Sequence, residues 1–158
     1  MVVGALEGDY LKGPLKGHLP KGIELGVKLH RAIDAFTDQH PKMAELRAQF
    51  PLELRRYSGI LIDLSFDHYL SKHWHNYSTL PLDAFNATIY RNLESHKHHL
   101  GPGARRMLLR MQQHDLLSVY GQWDSIAATA ARIGERFQRE NPFLQVAQHL
   151  DPVRPQLE

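Results

Sequence analysis

The 158-residue sequence contains no cysteine. Disulfide frameworks, thiolate metal cages and cysteine nucleophiles are therefore excluded. It also lacks any run near the roughly 18 apolar residues that a membrane-spanning helix requires. Its first residues, MVVGALEGDYLKG, have no basic segment followed by an apolar one, so neither a membrane nor secretion is expected, and the cytoplasm is the expected location. No Walker or Rossmann glycine pattern occurs. No stretch alternates with the period of two that marks a half-buried strand, and no internal repeat or low-complexity tract is visible. A large excess of charge of one sign is missing too: the net charge is +2 and the isoelectric point near 8.9, which demands no polyanionic partner. Eleven histidines are many for this length, and they favour a metal site or an acidic partner.

With 42% hydrophobic and 23% charged residues, the chain has the composition of a globular protein, and its length suffices to bury roughly two-thirds of the unfolded surface. A single all-α domain over residues 1–158, of about six helices, is expected. The segment KGPLKGHLPKG (12–22) has too many breakers for a helix and reads as a loop. After it the apolar periodicity predicts helices over 23–38, 50–75, 82–98, 103–119, 124–138 and 142–149. Breaks fall where proline can begin a new helix or follow an old one: HPKM (40–43), STLPLD (78–83), LGPG (100–103) and the Asn141-Pro142 pair.

Acids and histidines lie on faces that should be apolar. In ILIDLSFDHYLSKHW (60–74), at about 100° per residue, Asp63 and Asp67 share an arc with Ile60, Leu64, Leu70 and Trp74, which is expected to face the core. Ionised carboxylates are costly there unless a cation meets them. A divalent metal removes that cost, because carboxylate and imidazole are ligands for Mn, Fe, Zn and Mg. In ELGVKLHRAIDAFTDQH (24–40), Leu25, Leu29, Ile33 and Phe36 form the expected apolar stripe. His30 and Asp34 border it one turn apart, either as a surface hydrogen-bonded pair or as two ligands of one ion. Asp9, in EGDYLKG, is a third contributor. The tract HKHH (96–99), at a helix terminus, is better explained by the helix dipole than by metal binding.

Three of these segments, EGDYLKG (7–13), LHRAIDAFTD (29–38) and IDLSFDHYLSKHW (62–74), resemble the acyl carrier protein phosphodiesterases. The likeness extends more weakly through the remaining helices. That family is a distant, rearranged relative of the HD-domain metal phosphohydrolases. It is all-helical and manganese-dependent, and it removes 4′-phosphopantetheine from holo acyl carrier protein to leave the apo form. The resemblance implies Asp9, His30, Asp34 and Asp67 as metal ligands, with Asp63 and His68 close to the chemistry. It also implies Mn²⁺, or another divalent ion such as Mg²⁺ or Fe²⁺, as cofactor. Family members usually carry a further segment of the type Asn-Phe-Leu-Ala-His-Leu ahead of the part aligned with VVGALEGDYLKG, and this sequence does not show it.

Such a site needs an ion to polarise the phosphoryl oxygen and a carboxylate or imidazole to take a proton, with His68 or Asp63 as the expected base. The partner the resemblance implies is a small, strongly acidic protein, neither nucleic acid nor a membrane. Clustered basic residues should steer it, and Arg47, Arg55 and Arg56 or Arg105, Arg106 and Arg110 are the candidates. Two other readings use the same residues: an HD-like phosphohydrolase acting on a nucleotide or other small phosphoester, and a non-catalytic helical module that binds through its basic face.

Overall fold

The computed structural model describes residues 1–135, 137 and 141–158. All regular structure among them is helical: α1 (Val2–Gly8), α2 (Lys21–Gln39), α3 (Pro41–Gln49), α4 (Leu52–Arg55), α5 (Ser58–Lys72), α6 (Leu82–Ser95), α7 (Pro102–His114), α8 (Leu116–Val119), α9 (Asp124–Gly134) and α10 (Ala147–Leu157). The all-α expectation holds, with more and shorter helices than the sequence suggests.

The extra breaks have local causes. Proline begins α3 and α7, where its missing N–H costs nothing. The expected helix over 50–75 is interrupted because the Arg55 guanidinium donates to the Phe50 and Ala48 carbonyls (3.1 and 3.3 Å) and the Ser58 hydroxyl donates to the Arg55 carbonyl (2.8 Å). The expected helix over 103–119 stops at Asp115, which takes a left-handed conformation (φ 43°). The end of the expected helix over 124–138 falls partly on Arg136 and Gln138, which lie outside the described residues. The last helix runs past Pro152 and Pro155. Each proline forfeits one backbone hydrogen bond, and burial of Leu150, Val153 and Leu157 on one face offsets that loss.

The chain forms two compact units. The first, Met1–Gln39 with Leu82–Leu117, has a core of Val3, Ile23, Leu93, Leu100, Ala104 and Leu108. Its tightest feature is the crossing of α1 over α2. A β-carbon on Gly4 would lie 2.0 Å from the Ile23 carbonyl oxygen, and one on Gly26 would lie 2.2 Å from the Met1 carbonyl oxygen. The two backbones thus touch directly, which only glycine permits. One turn on, Gly8 lies under the His30 ring, 2.6 Å from where its own β-carbon would be. This seam turns α2 about its axis. Ile23, Gly26 and Val27 are buried, while Leu25, Ile33 and Phe36 are 55, 54 and 73% exposed and Leu29 is exposed as well. The expected apolar stripe of α2 is therefore not the packed face, because backbone contact at Gly26 outcompetes side-chain packing there.

The second unit, His40–Pro81 with Ser118–Glu158, packs α3, α9 and α10 around α5. Leu54, Leu61, Ile62 and Phe143 are wholly buried, and Tyr57 closes the core by stacking on Phe137, ring centroids 5.5 Å apart.

Candidate functional site

In the first unit the glycine seam delivers the end of α1 to the middle of α2, and three of the expected residues meet there. His30 Nε2 lies 3.1 Å from Asp9 Oδ1 and 3.2 Å from Asp34 Oδ2. The imidazole is half-buried between two exposed carboxylates. They border an opening of about 270 Å³, lined also by Lys12, Arg31 and the backbone of Gly8 and Gly13. Arg31 holds the loop in place by donating to the carbonyls of Leu11 (2.6 Å) and Gly13 (2.9 Å). Gly13 bends with φ 81°, where other residues are strained. Lys12 donates to the Asp9 carbonyl (3.0 Å) and keeps two ammonium hydrogens for other acceptors.

Chemically the opening offers two carboxylates, one imidazole and two cations. Two donors bound at about 2.1 Å to one octahedral ion stand about 3 Å apart, which is the spacing of His30 to each acid. The trio is nevertheless closed on its own hydrogen bonds, and no ready-made metal cage of three or more His, Asp or Glu side chains occurs among the described residues. In kind, carboxylate and imidazole are donors that a divalent cation takes. The sequence reading missed Lys12 and Arg31, although Arg31 is next to His30 and Lys12 lies within the quoted EGDYLKG. It also missed the seam, which rests on Gly4 and Gly8 of α1 and Gly26 of α2.

The remaining three expected residues stand on α5, in the second unit. Asp63 and Asp67 do share an arc with Leu70 and Trp74, but that arc faces outward: both acids and Leu70 are exposed. The expectation that they point into the core is overturned. The packed face is the opposite one, carrying Leu61, Ile62, Leu64, Ser65, His68 and Tyr69. α5 is apolar nearly all round, so its sequence does not say which side is buried. Asp67 is still perturbed. Its carboxyl is pushed up to about 6, first by desolvation and then by the charge of Asp63. It meets solvent, so the desolvation comes from protein crowded around it rather than from enclosure.

His68 is 4% exposed. Its Nδ1 lies 2.9 Å from the Tyr120 carbonyl oxygen, which assigns the proton to that nitrogen, and its ring packs edge-on against Tyr69 and Trp123. Nε2 is buried without a hydrogen-bond partner. Burial holds the imidazole below the ordinary histidine range, and the more distant charges of Arg154 and Lys72 act in the same direction. His68, expected near the chemistry, lies buried in the second unit.

The family model described as acyl carrier protein phosphodiesterase matches residues 1–158. Proteins named acyl carrier protein phosphodiesterase from Salmonella agona and Salmonella newport are each 40% identical over 83 residues, which is 52% of this chain and 43% of each relative. The protein of that name from Salmonella dublin is 40% identical over 85 residues, 53% of this chain and 44% of its own length. The matched stretch thus spans less than half the length of these relatives. No solved structure matches. No helix among the described residues is long and apolar enough to cross a membrane.

Proposed function

From the premise that this chain belongs to the acyl carrier protein phosphodiesterase family, we propose that it hydrolyses the phosphodiester linking 4′-phosphopantetheine to the serine of holo acyl carrier protein. The observation that carries the reading is the convergence of Asp9 and Asp34 on His30 beside Lys12 and Arg31. Asp9, His30 and Asp34 would hold a divalent ion, Mn²⁺ by the family's habit. Bound there, it would supply Lewis acidity toward a phosphoryl oxygen and lower the pKa of water.

The chain's own groups have separate tasks. The free ammonium hydrogens of Lys12 and the guanidinium of Arg31 offset the charge of the phosphodiester and orient it within the opening. A carboxylate of Asp9 or Asp34 takes the proton of the attacking water. The hydroxyl oxygen adds to phosphorus, the bond from phosphorus to the serine oxygen breaks, and that oxygen leaves with a proton. The products are apo carrier and 4′-phosphopantetheine. Buried His68 has no part in this scheme. Asp67, which the resemblance implies as a metal ligand, has a carboxyl raised to about 6, and so has the acid–base character of a group that can exchange protons near neutral pH.

The test is intact-mass spectrometry of holo acyl carrier protein incubated with the protein and Mn²⁺, with EDTA and Asp34→Asn as controls. Metal-dependent loss of the phosphopantetheine mass, abolished in the variant, is the expected result. A folded, manganese-loaded protein that leaves the carrier intact would refute the proposal.

A further inference from the structure

The helix α7 contains no acidic residue and carries Arg105, Arg106, Arg110 and His114. On a wheel of about 100° per residue, Arg105, Leu109, Gln113, Arg106 and Arg110 fall on one arc some 140° wide, opposite the packed Ala104, Leu108 and Met111. Leu109, within that arc, is 54% exposed. Neither Arg106 nor Arg110 has a hydrogen bond or ion pair among the described residues. Arg105 is used differently: it donates to the carbonyls of Lys97 (3.2 Å) and His98 (2.9 Å) and so brings the Lys97–His99 turn beside the first turn of α7. The nearby carboxylate, Glu94, is already occupied by Lys97 and by Gln112 (3.2 Å). The result is an uncompensated basic face around one exposed leucine.

The other basic cluster differs. Arg55 is committed to the Phe50 and Ala48 carbonyls, and Glu45 and Glu53 lie among its members in the sequence, so its charge is mixed. The α7 face is moreover built onto the candidate site. Glu7, at the end of α1, accepts the Gly101 N–H (2.8 Å) just before α7. A β-carbon on Gly103 would lie 2.5 Å from the ring of Tyr10, the neighbour of Asp9.

Resting on the function proposed above, we infer that the face of α7 formed by Arg106, Leu109 and Arg110 is where the acidic carrier protein docks. Charge complementarity selects an acidic partner, and the exposed leucine selects one with an apolar spot among its acids, such as an acidic amphipathic helix. Contacts of this kind govern encounter and KM rather than the chemical step.

The experiment compares wild type, Arg106→Glu/Arg110→Glu, the milder Arg106→Gln/Arg110→Gln, and Arg56→Glu as the control on the other cluster. Fold is checked by circular dichroism. Binding of fluorescently labelled holo acyl carrier protein is measured against salt, and turnover is measured separately. The α7 reversal should weaken binding and raise KM tenfold or more with kcat kept, the glutamine pair should fall between, and Arg56→Glu should match wild type. Unchanged binding and KM in folded α7 variants would overturn the docking face while leaving the proposed function standing. A wild type that binds the carrier through these arginines without cleaving it would support the docking face and sink the proposed function. Arginine-dependent preference for duplex DNA over the carrier at equal salt would overturn it in favour of a nucleic-acid surface.

Discussion

Replacing Gly4 by alanine tests the architecture that assembles the candidate site. The new β-carbon would lie 2.0 Å from the Ile23 carbonyl oxygen and near 2.8 Å from the Gly26 α-carbon. Real β-carbons essentially never come within 3.0 Å of such atoms, so α1 and α2 must part by about 1 Å. Both obstructing atoms are backbone, and no rotamer change can relieve them. Overpacking of this kind costs about 1–3 kcal/mol, and here the upper end applies. Alanine's helix propensity returns at most about 1 kcal/mol. The net expectation is a loss of about 2 kcal/mol, or about 4–8 °C in Tm for a chain of this size. Parting the helices also withdraws Asp9 from His30, so affinity for Mn²⁺ should fall with stability. Gly22→Ala is the control of opposite sign. Nothing lies within 4 Å of its added carbon, and the variant should be unchanged or more stable by up to about 1 kcal/mol. Urea and thermal unfolding of the two variants decide the matter. A Gly4→Ala protein as stable as wild type, or a Gly22→Ala protein equally damaged, would refute the seam.

Three further outcomes are expected. Leu61→Ala, at a wholly buried position, should cost about 2–5 kcal/mol, whereas Leu70→Ala on the outward arc of the same helix should stay within about 0.5 kcal/mol; equal costs in urea unfolding would mean that α5 is oriented otherwise. The folded Asp67 carboxyl titrates at about 6, above its ordinary value of 3.8, so the folded state holds the proton more tightly than the unfolded. That contribution is fully present below about pH 4, is lost as the pH rises through 6, and leaves the ionised carboxylate opposing folding above it. In EDTA, Asp67→Asn should therefore be more stable than wild type at pH 7 and not at pH 4. The shift caps the gain near 3 kcal/mol, and solvent screening at this exposed position reduces it to about 1 kcal/mol; no gain at pH 7 would discredit the shift. Finally, Mn²⁺ at a hundredfold excess over its Kd should raise the wild-type Tm by about 5–10 °C, and His30→Ala should remove the increment; a variant that keeps it binds its metal elsewhere.

How far the site was legible depended on whether the deciding contact was made by a side chain. His30, Asp34 and Asp9 were found in the sequence because their chemistry is written in residue type, and one-turn spacing on a helix survives any packing. The helical class was legible for the same reason, from periodicity that holds over most of the chain. The orientation of the helices was not. On α2 the apolar stripe Leu25, Leu29, Ile33 and Phe36 is stronger on paper than Ile23 and Val27, yet the latter are buried. The contact that decides it is made by backbone atoms at Gly4 and Gly26 and has no hydrophobic signature. On α5 both arcs are apolar, and the sequence reading chose the wrong one because Ile60, Leu64, Leu70 and Trp74 share it with the two acids.

That error shows what a perturbed carboxylate can mean. The reading reasoned that Asp63 and Asp67 must be buried and must therefore meet a metal. The structure keeps half of the premise: Asp67 is raised to about 6 while in contact with solvent. Crowding by protein and one like charge suffice for the shift, and neither needs a core. Asp67→Asn separates the two causes of interest, because a residue that only suffers desolvation gives a stabilised protein with unchanged turnover, whereas one that exchanges protons with substrate gives a stabilised protein whose kcat falls and whose pH–rate profile loses the limb near 6. Stability gained together with activity lost is the signature of a group strained for function. Stability gained alone would leave the chemistry to Asp9, His30 and Asp34.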